Sequence, residues 1–255
     1  MWRLCFFIGI CLLPVFGSEI PPYIKQCYEG EPDVIECFKG AIHHLRPYLR
    51  QGIKEIELPS VEPFKMEELS LSLTTGPNGY KVSLKDIDVF GASQFTVRKL
   101  RLSTEKSPFE TKIKIPQLKI HSRYESSGVL IILPASGNGT FDGKLDDILA
   151  TVKGTVKIQE KDNKKYLHVE TLTVNLLVKD IHLEVKNIYN NNIILTQAIN
   201  LFLRQNGMEV FNVMLPQLKL KLSKLFMDIA NSLLSHVSLD TFYVPKGTSE
   251  EVTKH

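Results

Sequence analysis

The sequence is short of most features that would mark an enzyme, a membrane span or a nucleic-acid binder. After residue 17, no run reaches the roughly 18 uninterrupted apolar residues that a bilayer-crossing helix needs. Neither sign of charge dominates. The 31 lysines and arginines face 28 aspartates and glutamates, and the lysines are scattered, so nothing marks a nucleic-acid partner. There is no G-x-S-x-G elbow, no H-E-x-x-H pair and no phosphate loop ending in Gly-Lys-Ser/Thr. Gly137-Asn138-Gly139 lacks the lysine such a loop requires and reads as a turn. His121, His168, His182 and His236 stand alone in sequence, and a lone histidine beside strand residues is ordinarily solvated or core. Asp146 and Asp147 are neighbours, and neighbours on a strand point to opposite faces. No catalytic residue, metal site or cofactor is expected.

Cysteine is scarce too. Four are present, and Cys5 and Cys11 fall in the N-terminal segment. There Arg3 precedes an apolar run from Leu4 to Val15, closed by Val15-Phe16-Gly17, a small-x-small type of cleavage pattern. About a dozen apolar residues are too few to span a bilayer. Residues 1–17 therefore read as a secretory signal peptide, leaving a soluble, secreted chain that starts near Ser18. Removing Arg3 from the 31 cations leaves 30 against 28 anions, a net charge of +2. Cys27 and Cys37 remain as an even pair in an oxidising compartment, where a disulfide is the default. Closing so short a loop adds on the order of 2–3 kcal/mol, mostly by restricting the unfolded chain. A zinc site would need further ligands nearby, and the adjacent His43 and His44 lie on different helix faces. Asn138-Gly139-Thr140 is the only N-x-Ser/Thr sequon, a candidate glycan site on an exposed turn.

What the sequence does have is periodicity of two kinds. Between Pro32 and Gln51, the residues Ile35, Phe38, Ile42, Leu45 and Leu49 make one helical stripe, which Pro47 kinks or divides and Gly52 ends. From Phe64 to Tyr189 the period becomes two. Leu69, Leu71 and Leu73 alternate with polar residues, and Gly76-Pro77-Asn78-Gly79 makes a hairpin turn. The phase then slips repeatedly. Val82 and Leu84 give way to Ile87 and Val89; Ile113 and Ile115 give way, at Pro116, to Leu118, Ile120 and Tyr124. Phe141 and Leu145 give way to Ile148 and Ala150; Val178 gives way to Ile181. A one-residue slip turns a strand's apolar face over unless a bulge or bend absorbs it. Separate short strands would also fit, but Lys85-Asp86 and Asp180 lack hairpin chemistry, which favours long, bent strands. True turns are expected at Gly91–Ser93, Glu105–Pro108, Ser126–Gly128, Pro134–Gly139 and Lys161–Lys164.

Asn190-Asn191-Asn192 breaks the strand region, and Ile194 to Leu203 reads as a short helix separated by Asn206-Gly207 from a long one. That long helix runs from about Met208 to Val237. Phe211, Met214, Leu215, Leu218, Leu222, Leu225, Phe226, Ile229 and Leu233 recur at steps of three and four, and Val213 and Leu220 broaden the stripe. Pro216, inside the pattern, should cost a hydrogen bond and kink it. A helix apolar on several sides and a curved antiparallel sheet with one apolar face predict an α+β fold, the sheet rolled around the helix. Residues 18–244 make one domain, and the polar residues 245–255 read as a disordered tail. A rod inside a curved sheet leaves apolar gaps. Strand alternation aims Leu118, Ile120 and Tyr124 at that interior, with Phe141 nearby. A buried tyrosine hydroxyl wants a partner, so Tyr124 is either a ligand contact or ordinary core with its hydroxyl at the rim.

These residues also carry a family likeness. Cys27 and Cys37, then Ile56-Glu57-Leu58-Pro59-Ser60-Val61-Glu62-Pro63-Phe64, resemble the start of the insect takeout and juvenile-hormone-binding-protein family. Leu133-Pro134-Ala135-Ser136-Gly137-Asn138-Gly139 resembles its mid-chain turn, and Phe202-Leu203-Arg204-Gln205-Asn206 with the long helix resembles its C-terminal segment. The likeness covers about Ser18 to Val244. It implies a TULIP-like super-roll enclosing a hydrophobic tunnel, no catalytic activity, and a secreted carrier of small lipophilic molecules such as juvenile hormone, a related terpenoid or a fatty-acid-like lipid. With one cysteine pair the chain looks closer to the takeout branch. Tyr124, in a Tyr-x-x-x-Gly stretch, matches a tyrosine that faces the cavity in that family. The expected ligand contacts are thus Leu118, Ile120, Tyr124 and Phe141 from the sheet, and Phe211, Met214, Leu215, Leu218, Leu222 and Phe226 from the helix. No stable membrane insertion is expected, and no protein receptor can be named. The competing reading is a surface-active, lipid- or membrane-binding defence protein without a fixed small ligand, which would need lysines grouped at one end.

Overall fold

A computed structural model describes residues 20–72, 79–102, 108–130, 133–134, 136–186 and 193–245. The expected signal peptide, most of the turns expected at 76–79 and 105–108, the expected break at Asn190–Asn192 and the expected tail from 246 lie outside the described residues. The elements in order are β1 (Cys27–Tyr28), α1 (Val34–His44), α2 (Arg46–Gln51), β2 (Phe64–Ser72), β3 (Lys81–Phe90), β4 (Thr96–Arg101) and β5 (Phe109–Ser127). Then come β6 (Val129–Leu130), β7 (Leu133–Pro134), β8 (Gly137–Lys161), β9 (Lys164–Leu177), β10 (Asp180–Lys186), α3 (Ile193–His236), α4 (Leu239–Phe242) and β11 (Tyr243–Val244).

The long strands are real: β5 runs for 19 residues and β8 for 25. They pair antiparallel from Phe109 opposite Gly154 to Ser126 opposite Gly137. The phase slips have two different causes. In β3 the register against β5 shifts between Lys85 and Asp88, and Asp86 takes a left-handed φ of 50°. That is a bulge, as the slip requires. At Pro116, by contrast, the register does not change: Ile115 faces Ile148 and Gln117 faces Asp146. On the other side of β8, Leu149 faces Leu177 and Asp146 faces Asp180, again in one register. Here the expectation of a bulge is corrected. Three neighbouring strands turn their apolar faces over along one line, where Pro116 has no N–H to give and Asp147 holds φ at 50°. Lys114 (2.9 Å) and Lys179 (3.7 Å) pair with the Asp147 carboxylate and pin that bend.

The sheet order is β10-β8-β5-β3-β2, with β4 also on β5 and β9 on the same flank of β8 as β10. One edge is therefore β9/β10 and the other β2 with β4, and α3 is hydrogen-bonded to β9, β10 and β2. Asn200 accepts from the Val185 N–H (2.9 Å) and donates to its carbonyl (2.8 Å). Asn231 does the same to Val169 (2.7 and 3.0 Å), and the Ser223 hydroxyl accepts from Val174 N–H (2.9 Å). Across the molecule, Gln217 accepts from Ser72 N–H (2.9 Å) and donates to its carbonyl (2.6 Å). One helix can reach both edges only if the sheet curls around it. Its amide side chains act as a missing strand, satisfying edge groups that would otherwise be open.

The helix meets expectation at one point and departs from it at another. α3 is two helices joined across a kink, with non-helical angles at Asn206 (φ −123°, ψ 15°), where Asn206-Gly207 was expected to separate a short helix from a long one. There the Asn206 side chain donates to the Phe202 carbonyl (3.0 Å), replacing a backbone partner. Pro216 produces no such break. It faces solvent, as does Asn212 one turn earlier, so the carbonyl that loses its partner is met by water. Near the N-terminus the expected helix divides at Leu45, one residue into the turn that carries Pro47. The Cys27–Cys37 disulfide joins β1 to α1, and β1 pairs in parallel with β11, tying both ends of the domain together.

Candidate functional site

The apolar faces on either side of the bend converge on α3. Leu145 and Ile148 pack on Phe211, with Ile115, Leu118, Leu176, Val178, Ile181 and Leu215 around them. Beside this solid core, toward β2, β3 and the first half of α3, packing is incomplete and leaves a cavity of about 160 Å³. Its sheet wall is Leu69, Leu71, Val82, Leu84, Ile120, Tyr124, Phe141, Leu145, Leu183 and Val185. Its helix wall is Ile199, Phe202, Leu203, Val210, Phe211, Met214 and Leu218. Polar groups gather at one end, where Tyr80, Ser126, Ser136 and Gly137 complete the lining. No lining residue is charged.

That polar end is held by the chain around it. Ser136 accepts from the Gly128 N–H (2.9 Å), and Ser126 donates to the Gly137 carbonyl (3.3 Å). Gly128 has a φ of 103°, and a Cβ there would sit 2.5 Å from the Gly79 carbonyl oxygen, so only glycine lets the strands approach this closely. Burial pushes the Tyr80 phenol above its ordinary range, with a Ser126 hydrogen bond pulling the other way. Tyr80 is thus a neutral phenol at any physiological pH. Tyr124 is 6% exposed. Between Ile120 and Tyr124, on the same face of β5, the buried Ser122 hydroxyl has no hydrogen-bond partner among the described residues.

Of the ten residues singled out from the sequence, Ile120, Tyr124, Phe141, Phe211, Met214 and Leu218 line the cavity. Leu118 and Leu215 sit in the adjoining core. Leu222 is half-buried beyond the cavity, and Phe226 is 39% exposed on the far half of α3. Sequence reasoning missed β2, β3, β10 and the 199–203 stretch as walls. Their apolar alternation was visible, but their convergence on one space was not. Tyr80 carried no signal at all. Asn138 is exposed at the start of β8, opposite Glu125.

A second concavity, an open groove of about 1030 Å³, lies where β10 meets the first turns of α3. Lys119, His121, Asp142, Lys144, Glu184 and Arg204 are among its lining residues. Burial alone would raise the Asp142 carboxyl, but Lys186 and His121 outweigh it and hold it low. So wet and ionic a surface suits an apolar ligand less than the more sheltered, uncharged cavity does. Asp146, Asp180 and His182 bring ligand atoms within 4.8 Å of one another. Lys144 (2.8 Å) and Gln117 (2.7 Å) already occupy Asp146, so this cluster is an ion-pair network rather than an open cation site.

Comparison with known proteins places this geometry. The family model for haemolymph juvenile hormone binding protein (JHBP) matches residues 4–244. The chain belongs to that family. Two relatives are the circadian clock-controlled proteins daywake of Drosophila melanogaster (22% identical over 240 residues, 90% of each chain) and of Drosophila yakuba (21% over 237 residues, 89% of each). Epiphyas postvittana Takeout 1 shares the fold at a TM-score of 0.72 and 18% identity, covering 82% of this chain and 95% of that one. The JHBP/takeout fold, a curled antiparallel sheet closed by a long C-terminal helix, is a hydrophobic-ligand carrier fold rather than an enzyme scaffold. Among the described residues no helix is long and apolar enough to cross a membrane.

Proposed function

We propose that this chain is a secreted carrier that encloses one small, neutral, mostly apolar molecule between α3 and the sheet. The observation that carries the reading is the cavity itself: mostly apolar, uncharged, with phenol and hydroxyl groups at one end. Such a lining takes a hydrocarbon body for the transfer free energy of its surface, roughly 25 cal/mol per Å² buried, and orients it through one polar end. A terpenoid ester or alcohol, of the juvenile hormone type, fits this description better than a fatty-acid anion. Burying an ionised carboxylate with no counter-charge costs several kcal/mol.

The size of the space sets a condition. A cavity near 150 Å³ takes a molecule of about the size of benzene. A longer ligand must widen the space, and Met214 is the lining side chain that repacks most cheaply, having three rotatable bonds and no branch. The contacts assigned to it are Ile120, Tyr124, Phe141, Phe211, Met214 and Leu218, with Tyr80 and Ser126 at the polar end.

Native mass spectrometry and solvent extraction of the purified protein, followed by saturation binding with a panel of neutral terpenoids, test the proposal. Co-purifying lipid or one-to-one saturable uptake supports it. Absence of both, across neutral and acidic lipophiles alike, overturns it.

A further inference from the structure

A helix that plugs a curled sheet should be apolar inside and polar outside. α3 is not. Among the described residues thirteen large apolar side chains are exposed, and seven of them lie on this helix, so its outer side rather than the whole surface is the anomaly. Ile194 is 82% exposed and Leu220 73%, with Ile193, Leu201, Met208 and Val213 also exposed. Ile194 and Leu201, seven apart, share one side of the helix before the Asn206 kink, and Val213 and Leu220 share one side after it. Repeated apolar exposure of this kind marks a contact surface.

We infer that the outer side of α3 docks on a lipid surface, with its apolar side chains immersed at the headgroup level and its basic side chains on anionic headgroups. Two observations select this occupant. The helix carries Arg204, Lys219, Lys221 and Lys224 against only Glu209 and Asp228, so a second copy packed on the same side would oppose like charges, whereas an anionic bilayer complements them. The inner side of the same helix supplies Ile199, Phe202, Val210 and Met214 to the cavity, so a lipophile leaving the bilayer has one helix to pass. Lysine stems lie along an apolar surface while their ammonium groups reach the phosphates, as in other interfacial helices. The function of this surface, loading and release, rests on the carrier reading; the docking itself does not.

The test is co-sedimentation of the purified protein with vesicles of phosphatidylcholine alone and of phosphatidylcholine with phosphatidylglycerol, at low and high salt. Binding should favour the anionic vesicles and weaken as salt rises. Ile194→Asp with Leu220→Asp should abolish it. Lys221→Glu with Lys224→Glu should cut the preference for anionic vesicles by at least tenfold, since each basic side chain is worth roughly fivefold at such a surface. All four side chains lie outside the cavity lining, so melting temperature and uptake of a soluble ligand should not change. No binding to either vesicle, or variants that bind like the parent, overturns the inference. So does a concentration-dependent dimer that the Asp substitutions dissolve, because the surface then belongs to a second copy. Vesicle binding without any ligand uptake would instead refute the carrier reading and leave the docking standing.

Discussion

A matched pair of ligands, a carboxylic acid of about ten carbons and its methyl ester, probes the uncharged cavity most directly. The two bodies bury nearly the same apolar surface, so they differ only in the head. With no cation in the lining, the acid can enter ionised and unpaired, or protonated after paying to take up a proton. The second route sets the ceiling. A carboxyl with a pKa near 4.3 is about three pH units below neutrality, and at 1.36 kcal/mol per unit protonation costs about 4 kcal/mol, or roughly a thousandfold in affinity. The ester should therefore bind about a hundred to a thousand times tighter than the acid near pH 7.4, by calorimetry or displacement of a fluorescent lipophile. Because the bound acid is the protonated form, its affinity should rise about tenfold for each unit the pH falls, converging on the ester near pH 4. Ester affinity should hardly change over that range. Acid and ester binding equally at pH 7.4, or an acid affinity flat with pH, would refute the reasoning and move the head group outward, to the groove cations Lys119 and Arg204.

Three further outcomes follow from the hydrogen-bond map. Asn231→Ala strips both partners from Val169, which is 4% exposed, and should cost about 2–4 kcal/mol in urea unfolding and speed amide exchange at Val169; a loss under about 0.5 kcal/mol would show that α3 does not replace a strand there. Ser122→Ala removes a buried hydroxyl without a partner and should be neutral or stabilising by about 1 kcal/mol, measured as a rise in the thermal midpoint. His43 is held below its ordinary pKa by burial and then by Arg46 and Lys39, while its Nε2 accepts from the Val97 N–H at 2.8 Å. The unfolded chain therefore binds a proton that the folded one resists, and stability should fall as pH drops through about 6.5. His43→Gln should flatten that fall in urea midpoint between about pH 7.5 and pH 5.5. Glu110, held low by its Lys153 hydrogen bond, loses its contribution only at lower pH, below the ordinary glutamate range.

Much of the fold was legible because periodicity is a local property. The change from period two to period three-and-four marks where the sheet ends and the helix begins, whatever surrounds them. Cys27 and Cys37 are close in sequence and few in number, so their pairing needed no tertiary information. The slip at Lys85-Asp86 is a bulge and could be read as one. The slips at Pro116, Asp147 and Lys179 look identical in sequence, yet they are one bend crossing three strands in unbroken register. A bend line is a relation between strands, and no single strand carries it.

The site divides in the same way. Ile120, Tyr124, Phe141, Phe211, Met214 and Leu218 could be nominated because each lies on an inward face. Leu118 and Leu215 lie on the same faces and meet solid core instead. Which inward residue meets an empty space depends on how the helix rod and the curved wall mismatch, and that is decided by packing over the whole domain. Tyr80 lies just ahead of β3, where no period runs, so nothing marked it. The breadth of the α3 stripe was visible as more apolar side than one wall needs. Periodicity alone requires that a long apolar helix be covered by a bent sheet. That the cover stops short follows from packing across the whole domain. Edge groups of β2, β9 and β10 take Gln217, Ser223, Asn231 and Asn200 in place of another strand, and the outer side of α3 is left facing water.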